Sequence, residues 1–245
     1  MKGKTTNQFL LLWGWEGGSS LLELLGAMAA GLVVLVATLQ SLSFFQREFS
    51  RQQARMSHEQ DLRLGLELLE QELQLALPGS LSIILPNELE FTANVLGLIT
   101  NVSVETAIGQ STIIVNDGRG WPDRKTVHVC WGDQRERFML ARAGQRNLLT
   151  LTEPIPLAIP SGASVAVMNR VRYYSRREET GSLKLLRQFD GGASVLAGDI
   201  KTVNFSYWDE KGRITTNPAL VKRVVVKIAL FRNSGITVRE ISLRT

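Results

Sequence analysis

Three groups of residues could do chemistry. The first is a single carboxylate, Glu23, at the head of an uncharged run from Leu24 to Gln46. An ionised acid at membrane depth costs about 2.5–3.5 kcal/mol on insertion scales, so it calls for a partner of opposite charge. The second is His128 and Cys130 in "TVHVCW" (126–131), two apart and so on one face of a strand. The third is "NDGRGWPD" (116–123), where Asn116, Asp117 and Asp123 offer oxygen ligands.

The last two groups read as structure before chemistry. The chain has two histidines and one cysteine, too few for a zinc site of its own or an internal disulfide. His128 and Cys130 read as a core or half-buried pair, with Cys130 a buried small hydrophobe. His58 sits among helical residues with no second ligand near it and reads as a surface residue. The 116–123 segment lacks the spacing of a known calcium loop, so a plain turn stands beside calcium binding there. No G-x-S-x-G elbow or Walker loop occurs.

The net charge is +5 over 245 residues, and the basic residues are scattered. Arg176-Arg177 and Arg135 with Arg137 are the densest spots, and acids interleave with both. They read as solvated faces, because phosphate binding wants a clustered footprint. No directly bound nucleic acid is expected.

The elements that must position these residues fall into regions. Residues 1–18 form a short apolar leader, "MKGKTTNQFLLLWGWEGG". Residues 19–77 lack proline and read as one helix, stopped by Pro78-Gly79. Its first half, 19–46, is apolar all round and long enough to cross a bilayer. Its second half, 47–77, is amphipathic: Leu62, Leu66, Leu69, Leu73 and Ala76 form one stripe, with Glu59, Arg63, Glu67 and Glu70 off it. At 1.5 Å per residue the whole helix spans roughly 88 Å, of which about 35 Å needs lipid. The stripe therefore needs a surface to rest on.

Residues 80–245 supply that surface as a β-rich head. Short β-branched runs, "STIIV" (111–115), "TVHVC" (126–130), "ASVAV" (163–167) and "TVNFSYW" (202–208), alternate with turns such as "DGG" (190–192) and "DEKG" (209–212). "KRVVVKIALF" and "ITVREISL" flank "RNSG" (232–235) as a hairpin. The expected fold class is α+β, a long N-terminal helix on a mainly antiparallel head.

The stretch "GGSSLLELL" (17–25) resembles the class III signal of type IV pilins and type II secretion pseudopilins. The resemblance implies cleavage by a prepilin peptidase between Gly18 and Ser19, N-methylation of Ser19, and Glu23 as the fifth mature residue. The family usually has a large apolar residue where Ser19 stands. Cleavage would create an ammonium four residues from Glu23, with a reference pKa of about 7.7–8.0. In a filament, that amine on one subunit would neutralise the glutamate of its neighbour and fix axial register. The alternative for Glu23 is an acid that decorates a helix N-terminus, worth about 0.3–1 kcal/mol.

More loosely, "DLRLGLELLEQELQLA" (61–76), "RVRYYSRREETGSLKLLRQFDGG" (170–192) and "VNFSYWDEKGRI" (203–214) are similar to W-type minor pilins and J-type pseudopilins. The resemblance implies a non-enzymatic structural subunit with no cofactor and no metal. It implies a single pass through the inner membrane, with the head in the periplasm or outside the cell. Its partners would be the peptidase, other pilin or pseudopilin subunits and the inner-membrane assembly platform. Lys2 and Lys4 before the span, against Arg47, Arg51 and Arg55 after it, lean toward the opposite orientation. The leader signal outweighs that count, since the peptidase acts on the cytoplasmic side. Two rivals stay open: a singly spanning membrane-tethered binding protein, and an exported protein whose secretory signal is cut near "VATLQ" (36–40). A mature N-terminus at Ser19, at Met1 or near 38–40 separates the three.

Overall fold

The computed structural model describes residues 21–179, 181–231 and 235–243. Helix α1 runs unbroken over Leu21–Gln74, as the absence of proline allows. It ends three residues before the expected stop at 77. Strand β1 begins at once, at Ala76–Leu85, and carries Pro78 and Gly79 inside it. The reason lies in pairing. β1 sits at the edge of the sheet, where a proline costs no ladder bond. Its register against β2 (Glu88–Ala93) jumps between Ala76 and Leu81, so the Pro78-Gly79 segment bulges out of the ladder. Gly79 takes φ +71°, a left-handed value that favours glycine there.

The strands that follow are β3 (Ile99–Asn101), β4 (Thr112–Ile114), β5 (Thr126–Trp131), β6 (Gln134–Met139) and β7 (Leu148–Thr150). Then come β8 (Ser164–Arg177), β9 (Leu183–Phe189), β10 (Gly192–Trp208), β11 (Arg223–Leu230) and β12 (Ile236–Ser242). The main sheet has the order β1-β2-β8-β9-β10-β11-β12, every neighbouring pair antiparallel. The fold is therefore α+β, a long N-terminal helix packed on a mainly antiparallel sheet. All four expected β-branched runs lie on strands. The β11–β12 hairpin forms, while its turn at 232–234 lies outside the described residues.

Strand β8 organises the head. Its first half pairs with β3 and with β5, which carries β6 beyond it; its second half pairs with β2 and β9. Alternation puts Val165, Val167, Asn169, Val171 and Tyr173 on one face, all fully buried. Two hydrophobic clusters lie along that face. One joins Val171 and Tyr173 to Leu62, Leu66, Leu69 and Leu73 of the helix and to Phe91, Phe205 and Val226. The other joins Val165 and Val167 to Val127, Val129, Ile113, Leu149 and Trp121. The leucine stripe is thus the inner face of the helix, at 0–3% exposure. Gly65 lies on the same side; a Cβ there would stand 3.1 Å from Cβ of Leu196.

Residues from Arg55 onward make one compact unit, and the helix as far as Ala54 is a separate one. The compact unit thus begins further along the helix than the apolar-to-amphipathic switch near Phe45. In the N-terminal part, Leu24, Leu32, Val34, Leu42 and Phe45 are all more than half exposed.

Candidate functional sites: the apolar helix and a basic cleft

Three hydroxyls along α1 are satisfied within the helix. Thr38 donates its hydroxyl to the carbonyls of Val34 and Leu35 at 2.8 Å. Ser43 donates to Leu39 and Ser50 to Gln46, both at 2.9 Å. A hydroxyl with a partner one turn back does not need water, which is what a hydrocarbon environment demands. The helix is long and apolar enough to cross a membrane. This is the chain's single candidate span among the described residues, and it lies near the N-terminus. Glu23 occupies the first turn, where an acid is favoured by the helix dipole. Gly18 and Ser19, the expected cleavage and methylation positions, lie outside the described residues.

The second site was not visible along the sequence. The sheet face turned away from the helix carries the even-numbered residues of β8, including Met168, Arg170 and Arg172. Across the ladders from them stand Thr92 of β2, Gln188 of β9 and Thr126 of β5. His128 and Cys130 follow on the same face of β5, opposite Arg137 and Arg135 of β6. With the bulged end of β1 these residues, Cys130 excepted, line a cleft of about 840 Å³. Its lining includes Arg124, Lys125, Arg135, Arg137, Arg170, Arg172 and His128, against a single acid, Asp190.

Pairing sorts these cations into two sets. Arg170 donates to Glu90 at 2.7 Å, Arg172 to Glu88 at 2.8 Å, and Lys125 to Asp190 at 2.7 Å. Asp190 also accepts from the Asn169 amide at 2.7 Å and the Arg170 backbone at 2.9 Å. Burial pushes the Asp190 and Glu90 carboxyls up, but their hydrogen bonds outweigh it and hold both below the usual range. Among the described residues Arg135 and Arg137 have no ion-pair partner. Burial, then the charges of Arg135 and Arg137, push the His128 imidazole down, so it is neutral at pH 7. Its Nδ1 and the Ser80 hydroxyl, both in the lining residues, are buried without a hydrogen-bond partner among the described residues.

No protein-family model matches the chain, and no curated protein matches it.

The expected site residues fare differently. Arg135 and Arg137, read as a solvated face, are exposed as expected and are also gathered with Arg124 and with Arg170 and Arg172, which lie far away in sequence. The signal that could have found them is the alternation "RER" and "RVR", each placing two arginines on one side of a strand. His128 and Cys130 are half-buried on the cleft face of β5, one of the two placements expected for the pair; Cys130 is not fully buried, because Val127 and Val129 take the inward positions. His58 is half-buried on the amphipathic helix. In the 116–123 segment, Asp117 is held by Arg119 at 2.7 Å, and that hydrogen bond above all lowers its carboxyl to about 2. Among the described residues no three His, Cys, Asp or Glu side chains gather as a metal site. The segment is also tightly packed: a Cβ on Gly118 would stand 2.4 Å from the Gln145 carbonyl oxygen.

Proposed function

We propose that the chain is a minor pilin or pseudopilin, resembling the W-type and J-type subunits. In this reading it is stored in the inner membrane through its N-terminal helix, with the head in the periplasm or outside the cell. A prepilin peptidase removes residues 1–18, and the mature chain enters or initiates an envelope-spanning filament with other pilin or pseudopilin subunits on an assembly platform. Its own chemistry is to be a peptidase substrate and then a building block.

The observation that carries the reading is the position of Glu23. It stands in the first turn of a membrane-length helix, five residues after Gly18, with an apolar run behind it. The leucine stripe supports it, since it ties the far end of the same helix to the sheet.

Co-expression with a prepilin peptidase tests the reading. Mass spectrometry of membrane-extracted protein is expected to show a chain beginning at Ser19, and Gly18→Ala is expected to block the cut. A chain that still begins at Met1 beside an active peptidase overturns it. That outcome would favour the second reading, a singly spanning tethered binding protein, which draws on the basic cleft.

A further inference from the structure

We propose that the cleft between β1, β6 and β8 is a binding site for a small, multiply anionic, non-aromatic ligand, one that carries phosphate or carboxylate groups on a carrier of about sugar size. The inference does not depend on the pilin reading, since every residue it uses lies in the compact unit from Arg55 onward.

Charge is the first argument. Arg170, Arg172 and Lys125 are held in place by Glu90, Glu88 and Asp190, so they form an ordered floor without excess charge. Arg135 and Arg137 add two guanidinium groups without an ion-pair partner among the described residues, rising from one side of β6 at backbone positions about 7 Å apart by strand geometry. His128, opposite Arg137, is held neutral beside them. Like charges on neighbouring positions repel, and an oxyanion drawn between them removes the repulsion while meeting guanidinium forks built for bidentate contact.

Unsatisfied groups are the second argument. Buried polar atoms in folded proteins have partners, and each exception needs a reason. Here two of them, Ser80 Oγ and His128 Nδ1, belong to residues that line the same cleft. A hydroxyl and an imidazole that lack partners beside free arginines are what an oxyanion site presents before its ligand arrives.

Size and lining narrow the class. The volume falls within the roughly 300–1,000 Å³ of small-molecule sites. The lining holds no Phe, Tyr or Trp, and its one aromatic ring, the His128 imidazole, is half-buried, so there is no broad platform on which a nucleobase could stack. Its apolar members, Leu77, Leu81 and Met168, are outnumbered by charged ones. A compact polar anion fits these walls better than a nucleotide or a nucleic acid.

The test uses the full chain in detergent micelles, titrated by calorimetry with pyrophosphate, a hexose bisphosphate and citrate. Saturable binding is expected for at least one of these, weakening as salt rises because Arg135 and Arg137 are exposed. Arg135→Gln with Arg137→Gln is expected to weaken it by about tenfold or more, the scale of one lost charge-assisted contact. Lys201→Gln with Lys227→Gln removes equal charge elsewhere on the sheet and should leave it unchanged. The preferred probe names the oxyanion. Proton NMR gives a second readout, since the chain has two histidines. The His128 pKa should rise on binding. No binding at millimolar probe overturns the proposal, as does equal affinity in the Arg135/Arg137 variant. Tighter binding of oligoglutamate or single-stranded DNA than of all three probes overturns the small-ligand assignment.

Discussion

Glu72, in the last turn of α1, and Arg187, on β9, form an ion pair between the helix and the sheet. Arg187 Nε lies 3.0 and 2.9 Å from the two carboxylate oxygens of Glu72, and its Nη2 donates to the same carboxylate. Tyr173 of β8 donates its hydroxyl to it as well. Glu72 is 2% exposed, so the carboxylate has exchanged water for these donors. Burial, then the Glu72 charge, pushes the Tyr173 hydroxyl well above its usual value, so it stays protonated and donating. To the packing of the leucine stripe this pair adds a directional, charge-assisted contact.

Removing one partner of such a pair leaves the other buried and alone. Glu72→Ala is expected to destabilise the protein by about 3–5 kcal/mol, read from urea denaturation. Glu72→Met with Arg187→Leu removes both charges together and should cost far less. An equal loss in the single and double variants would show that packing, not the charge pair, is what the site provides.

The helix divides into a part to Ala54 and a part packed on the sheet, so the two should separate. A fragment that begins at Glu48 is expected to be soluble, monodisperse on size exclusion and cooperatively folded. Within it, Leu66→Ala and Leu69→Ala should each cost about 2–5 kcal/mol, because their side chains are 2% and 0% exposed. Midpoints unchanged at both positions would mean that the stripe does not rest on this sheet.

Stability should fall in acid through Asp190 and Glu90. Both carboxyls are held below their ordinary values in the folded state. Their stabilisation is therefore complete above about pH 4–5, and it is lost as pH drops through the ordinary range toward their folded values. Asp190 also forms the β9–β10 turn with Gly191, at φ +48° and +103°. Asparagine tolerates that backbone, so Asp190→Asn removes the charge and spares the turn. The variant should be less stable at neutral pH and should lose less on acidification, as urea midpoints from pH 3 to 6 would show. Parallel curves for the two proteins would refute the assignment.

Glu23 allows a test of assembly apart from processing. Glu23→Gln should leave cleavage after Gly18 and membrane storage intact, since neither uses the charge, and insertion becomes cheaper without it. Co-purification with partner pilin subunits should fall sharply. A residue that only favours the helix terminus would lose about 1 kcal/mol or less and assemble nearly normally. Equal partner recovery from the two proteins, with mature N-termini verified, counts against the amine–carboxylate pairing.

Periodic signals were legible in the sequence, and convergent ones were not. Leu62, Leu66, Leu69 and Leu73 announce a buried helical face because one element encodes the whole pattern. The β11–β12 hairpin is legible for the same reason. In the sequence Glu72 is one acid among several on the helix; only folding brings Arg187 and Tyr173 to it, from more than 100 positions away. The basic cleft draws on β1, β5, β6, β8 and β9 at once, so no window of sequence contains it. Pro78 points to a helix end at 77, three residues beyond the actual one at Gln74. Strand pairing with β2 had already claimed Ala76.

Strand β8 belongs to both hydrophobic clusters at once, through Val165 and Val167 in one and Val171 and Tyr173 in the other. Neither cluster can come apart without disturbing the backbone that the other needs. The head should therefore melt in one step despite having two centres of packing, with a calorimetric enthalpy that matches the van't Hoff value. Amide protons along 165–173 should be the last to exchange, opening only when the whole head does. A lesion beside Trp121 would then be felt as lost grip on the helix leucines, at the other end of the same strand.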